Sequence, residues 1–260
     1  NDNKVELLHG ADTFNILAEP IMSPNGFVMM YPTLFSPLQV GTHELRNRVV
    51  HTATVSGYGA NTRPSDRLID YHRARAAGGT AMIVTELMPV HPTSLANPFL
   101  VSLFDENNLD SLKLWADAVE SEGCRLVGQV GHVGRQQLWS PLATPVSASA
   151  RPDPLSWTVP HKMTAGEVEE IVASFVDAAE RLQRAGFSGV ELHGAHGYLL
   201  TQFMSPFSND RDDKYGGSRE GRLTFVREVI GGIRARCGAE FLMGLKMPCD
   251  EGIAGGIDPE

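Results

Sequence analysis

Four times along this chain a helical stretch runs into glycine and then directly into a short apolar run. Residues 73–79 lead into 80–86, 118–123 into 125–130, 181–186 into 187–193, and 233–238 into 241–247. Glycine just past a helix accepts the left-handed conformation that ends it. A short, nearly continuous apolar run reads as a strand buried on both faces. With the run at 48–55, five strands alternate with helices. That alternation predicts a parallel sheet covered by helices, either an open doubly wound sheet or a barrel. The phosphate-binding fingerprints of open sheets, GxGxxG and GxxxxGKS/T, are both absent, which favours the barrel.

Start signals agree with this order. Ser65 precedes a predicted helix at 66–77, Asn108 one at 109–122, and Thr164 one at 165–185, with Thr164 and Glu167 forming a capping box. Residues 1–31 lack periodicity and read as an N-terminal extension, and 136–163 as a long loop rich in Pro, Ser and Ala. The net charge of −9 argues against nucleic acid or an anionic membrane as partner. No apolar run approaches the roughly 20 residues needed to span a bilayer, and no signal peptide is evident. Cys124, Cys237 and Cys249 have no CxxC spacing, so a reducing, cytoplasmic setting without disulfide or zinc frameworks is expected.

In parallel barrels the chemistry gathers at the C-terminal strand ends. Those positions hold Ala53, Thr54 and Val55, then Glu86 and Leu87, then Gln129 and His132, then His193, His196 and Tyr198, then Lys246. Two histidines and a tyrosine within six residues admit three readings. A metal site would need a third ligand, and no HExxH exists. A hydrogen-bonded core pair is the plainest reading. The sharpest is a two-donor clamp on a substrate oxygen, with Tyr198 giving a proton. Lys246 interrupts an apolar strand, so it faces either an anionic or carbonyl group or a carboxylate, Glu86 or Glu191. The Gln129 amide both donates and accepts, which suits a ring edge with N–H beside C=O, such as a flavin pyrimidine.

Longer blocks carry a family resemblance. They include Leu34-Phe35-Ser36-Pro37-Leu38, Asn47-Arg48-Val49-Val50, Gly128-Gln129-Val130-Gly131-His132-Val133-Gly134-Arg135 and Gly189 through Leu199. Gln202-Phe203-Met204-Ser205-Pro206 and the stretch from Asn209 to Arg222 continue them. The sequence resembles the old yellow enzyme family, in the branch of NADH:flavin oxidoreductases and 2,4-dienoyl-CoA reductases that is related to trimethylamine dehydrogenase. That resemblance implies an FMN-type TIM (β/α)₈ barrel. Ala53, Thr54 and Leu87 would lie against FMN, Gln129 on its pyrimidine edge, and Lys246 near N1 and the C2 carbonyl. His193 and His196 would hold the substrate carbonyl, Tyr198 would protonate its α-carbon, and no metal is expected in the site. Lys246 stands where arginine is common in the family, and Ala53 where proline is.

The implied activity is NAD(P)H-driven reduction of a carbonyl-activated C=C bond, in an enone or enoyl-type substrate. Hydride would come from the flavin N5. The rival is an amine dehydrogenase or N-demethylase on the same barrel, for which Tyr58, Trp139 and Trp157 could supply an aromatic cage. A homo-oligomer is compatible with either. The 260 residues match a whole barrel of about 250 in length, yet hold five strands. Residues 32–260 are therefore expected to be an incomplete barrel, the first five βα units of a longer parent that could also carry 4Fe-4S and FAD.

Overall fold

The computed structural model describes residues 21–22, 28–29, 31–137 and 143–259. The expected extension at 1–31 thus lies almost wholly outside the described residues; its described part is an antiparallel pairing of Ile21–Met22 with Val28–Met29. Five parallel strands form the centre: Val50–His51, Met82–Val84, Arg125–Gly131, Gly189–His193 and Leu242–Lys246. Each pairs with its predecessor in sequence, so the spatial order is the chain order. A doubly wound sheet reverses direction at a switch point. This sheet does not, and it is the wall of a barrel.

Helices α1 (Asp66–Ala77), α2 (Leu109–Glu120), α3 (Ala165–Arg184), α4 (Leu199–Met204) and α5 (Arg219–Cys237) connect the strands. Ser65 caps α1 through the Leu68 N–H, and Thr164 with Glu167 forms a complete capping box on α3. Asn108 differs from expectation. Its side chain makes no cap bond and instead donates to the Thr62 and Ser102 carbonyls, tying the loop before α2. Gly186 has φ +91°, as a left-handed stop after α3 requires, and Gly79, Gly123 and Gly238 also have positive φ.

Trp115, Phe175, Phe203, Phe225, Leu126, Val130, Val190 and Leu192 fill the layer between sheet and helices and are fully buried. The hairpin of Leu38–Val40 with His43–Leu45 covers the N-terminal end of the barrel wall. Its Val40 lines an inner cavity with Val84, Val127 and Leu242, and the His43 ring meets the Glu240 carbonyl. The segment 136–163, expected as a long loop rich in Pro, Ser and Ala, contains a parallel pairing of Val146–Ser147 with His161–Lys162. The first strand is shorter than the expected 48–55, which leaves Ala53–Val55 free to curl over the barrel mouth. The outer edge of Leu242–Lys246 has no partner among the described residues.

Candidate active site

The C-terminal ends of the strands converge on one cleft of about 220 Å³. Ala53, Thr54 and Val55 reach it after the first strand, Glu86 and Leu87 after the second, and Gln129 from within the third. His193 and Lys246 close the fourth and fifth strands, and His196 and Tyr198 follow in the turn before α4. Ala96, Asn97, Leu100 and Val133 complete the lining. Every residue singled out from the sequence as catalytic or cofactor-binding lines this cleft.

Register explains the grouping. Side chains alternate across a strand, so Glu191 and His193 share one face while Val190 and Leu192 face the helices. Gln129 stands opposite Glu191, and Lys246 opposite His193. Gly131 permits the close packing of this face: a Cβ there would lie 2.4 Å from Leu87 Cδ1 and 3.1 Å from His193 Cβ.

The histidines touch. His193 Nδ1 accepts from the Ala195 N–H at 3.4 Å, which places the proton of a neutral His193 on Nε2. That N–H donates to His196 Nδ1 at 3.2 Å, so the His196 proton lies on Nε2. In this arrangement one N–H of the pair, that of exposed His196, is left to donate outward, and the other is spent between the rings. Burial first, then His196 and Lys246, lower the His193 pKa to about 4, so it is neutral near pH 7. His196 holds φ +59°, in the left-handed region. Gln136 Nε2 donates to the His196 and Gly197 carbonyls at 2.8 and 3.2 Å, and Gln202 Nε2 to Gly197 at 2.7 Å, fixing that turn.

Tyr198 packs edge-on to His193, with ring centroids 5.0 Å apart, and burial raises its pKa. Among the described residues its hydroxyl has no hydrogen-bond partner, and the phenol keeps its proton. The Lys246 ammonium likewise pairs with no carboxylate among the described residues. Both carboxylates that could have neutralised it are committed elsewhere. Glu86 Oε2 accepts from the Ser56 N–H at 2.6 Å, the Ser56 hydroxyl at 3.0 Å and the Gly57 N–H at 3.3 Å. Glu191 Oε1 accepts from Gln129 Nε2 at 2.7 Å. From the sequence alone these two acids are expected only as partners for Lys246. The signal for their true partners was present, since a carboxylate inside an apolar run must find donors.

Of the aromatic residues considered for a cage, Tyr58 packs under Arg67 and against Tyr71, and Trp157 is 79% exposed; neither lines the cleft. Trp139 lies outside the described residues. A neighbouring cavity of about 350 Å³ shares His196 with the cleft and is lined by buried Arg135 and Asp153. Among the described residues no group of three or more His, Cys, Asp or Glu is placed to hold a metal ion.

The model of the NADH:flavin oxidoreductase / NADH oxidase family matches residues 33–258. The chain belongs to this family. The old yellow enzyme resemblance read from the motifs is thereby confirmed, and the strand order is that of its TIM barrels. An NADH oxidase of Thermoanaerobacter brockii is 39% identical over 232 residues, covering 87% of this chain and 35% of that protein. A probable N-methylproline demethylase of Rhizobium meliloti is 34% identical over 238 residues, covering 86% of this chain and 34% of that protein. A 2-naphthoyl-CoA reductase, solved with 2-naphthoyl-CoA, superposes with a TM-score of 0.84 at 32% identity. That match covers 88% of this chain and 37% of the reductase. The chain therefore spans about a third of the length of these relatives. The description of that family names NADH:flavin oxidoreductases and NADH oxidases. No described helix is long and apolar enough to cross a membrane.

Proposed function

We propose that the intact protein is an FMN-dependent oxidoreductase that uses NADH or NADPH to reduce an activated C=C bond. The observation that carries this is the gathering of Gln129, Lys246, His193, His196 and Tyr198 around one cleft. The donor set fits FMN: a buried primary amide, an ammonium without a counter-ion among the described residues, and apolar walls at Ala53 and Leu87. When bound, the flavin supplies the hydride.

The chain's own groups do the rest. Gln129 offers its amide to the pyrimidine edge, and Lys246 brings positive charge to the carbonyl and nitrogen beside it. Ala53, Thr54 and Leu87 form the surface against which the ring rests. The His196 N–H, aligned by neutral His193, polarises the substrate carbonyl, so that negative charge developing on its oxygen meets a fixed donor. Tyr198 delivers a proton to the α-carbon, which a phenol that keeps its proton can do. The substrate this suits is a small molecule with a carbonyl-activated alkene. We extend the same reading to residues 32–260 as five βα units of the barrel. A cytoplasmic setting, a homo-oligomer and a parent bearing 4Fe-4S and FAD remain parts of this proposal.

One test separates the reading from amine oxidation, which the demethylase relative favours. The intact protein, loaded with FMN and reduced anaerobically, is mixed with an enone; the oxidised form is mixed with N-methylated amines. Enone-driven return of the yellow colour is expected. Bleaching by the amine alone overturns the reading, as does a folded protein that takes up no FMN. The site favours the alkene, because an amine cation would meet the Lys246 ammonium in the cleft, and Tyr58 and Trp157 stand outside it.

A further inference from the structure

Gln129 is 3% exposed, and its side chain is anchored on one side only. Its partner across the parallel register is Glu191, whose Oε1 lies 2.7 Å from Gln129 Nε2. An ionised carboxylate can only accept, so this contact dictates which end of the amide is nitrogen. The main chain of Gln129 is pinned as well, its N–H donating to Thr85 Oγ1 at 3.0 Å. Gly244, on the opposite side of Glu191, places no side chain against the carboxylate. Lys246, the cation two residues further along, does not pair with it. Glu191 is thus a carboxylate on the barrel's inner face whose one hydrogen bond among the described residues goes to Gln129.

We propose that Glu191 is a positioning residue that selects the cofactor edge through Gln129. With one N–H held by Glu191, the amide presents its carbonyl and its remaining N–H. That acceptor–donor pair is complementary to a lactam edge, a ring N–H next to a C=O. Without the carboxylate, the amide could turn over and present the reverse pattern at little cost. Specificity for a ring N–H thus resides in a residue that does not touch the ring. The inference rests on the flavin reading above and adds to it the group that fixes the polarity of recognition.

The test compares FMN with N3-methyl-FMN, whose pyrimidine edge has lost its donor, by fluorescence titration of the intact apoprotein. Wild type is expected to prefer FMN by about tenfold, the worth of roughly one hydrogen bond. Glu191→Gln is isosteric but both donates and accepts, so it satisfies either orientation of Gln129. Its preference is expected to fall to about twofold or less, since the orienting bond no longer distinguishes the two ends. Gln129→Leu reports whether Glu191 acts through the amide: adding Glu191→Gln to that variant should change the preference no further. Full discrimination in Glu191→Gln overturns the proposal. So does an added loss in the Gln129→Leu background, or a wild type that binds both flavins equally. Failure of wild type to bind either flavin sinks the flavin reading itself, an outcome distinct from these three.

Discussion

At the residue scale, His193 and His196 would divide one task under the proposed function. His193 is buried and neutral, and its Nε2–H fixes the tautomer of its neighbour. His196 is exposed and carries the outward N–H. Removing either ring therefore takes away the same donor, directly or through its orientation. His193→Ala is expected to lower alkene reduction by about 100-fold or more while leaving flavin bound; steady-state rates and the flavin spectrum of the purified variant check both halves. Normal enone turnover in that variant would place the substrate oxygen elsewhere. Tyr198→Phe keeps the ring packed against His193 and deletes the proton, and a fall of about 100-fold in turnover with unchanged flavin affinity is expected. The positions of these residues were legible in the sequence, because strand ends can be located from apolar runs. Their partners were legible only in part. The bond between the two rings, three residues apart, was among the readings the segment allowed; the commitment of Glu191 to Gln129 depends on strand register and side-chain direction, which no single segment reveals.

At the element scale, what was legible is what local chemistry decides. The Thr164 and Glu167 side chains and backbones bond reciprocally at the start of α3, as their spacing predicts. Thr164→Ala should cost about 1 kcal/mol of stability, read as a lower denaturation midpoint at unchanged slope. Asn108 shows the limit of the same argument. A cap-forming residue at a helix start is drawn away when loop carbonyls, here Thr62 and Ser102, come within reach. Helix α4 is six residues long, too short for a periodic signal, and its position follows from tertiary bonds such as Leu199 N–H to the His132 carbonyl. The pairing of Val146–Ser147 with His161–Lys162 was hidden for a like reason, since each strand is two residues long. Gly131→Ala tests the packing of the strand face. Its new methyl would press on Leu87 and His193, and a loss of roughly 1–3 kcal/mol is expected together with weakened flavin binding.

At the scale of the whole molecule, three buried histidines set an acid limit. Burial lowers His193 to about 4 and both His72 and His132 to about 3, against an ordinary value of 6.5. Below pH 6.5 the unfolded chain takes up these protons and the folded one does not, so stability is complete above that pH and falls as pH drops toward 4. Each histidine contributes at most about 1.4 kcal/mol per pH unit in that window. Denaturant midpoints measured at pH 7.5, 5.5 and 4.5 should decline in that order; a flat series would mean that the rings are protonated in the folded state. Sheet order has a different consequence. Because each strand lies beside the one before it in the chain, a polypeptide leaving the ribosome N-terminus first finds every docking edge already made. Val50–His51 waits for Met82–Val84, that strand for Arg125–Gly131, and so on to Leu242–Lys246. Assembly can keep pace with translation, one βα unit at a time. Of the residues that line the cleft here, Lys246 is laid down last, beside His193.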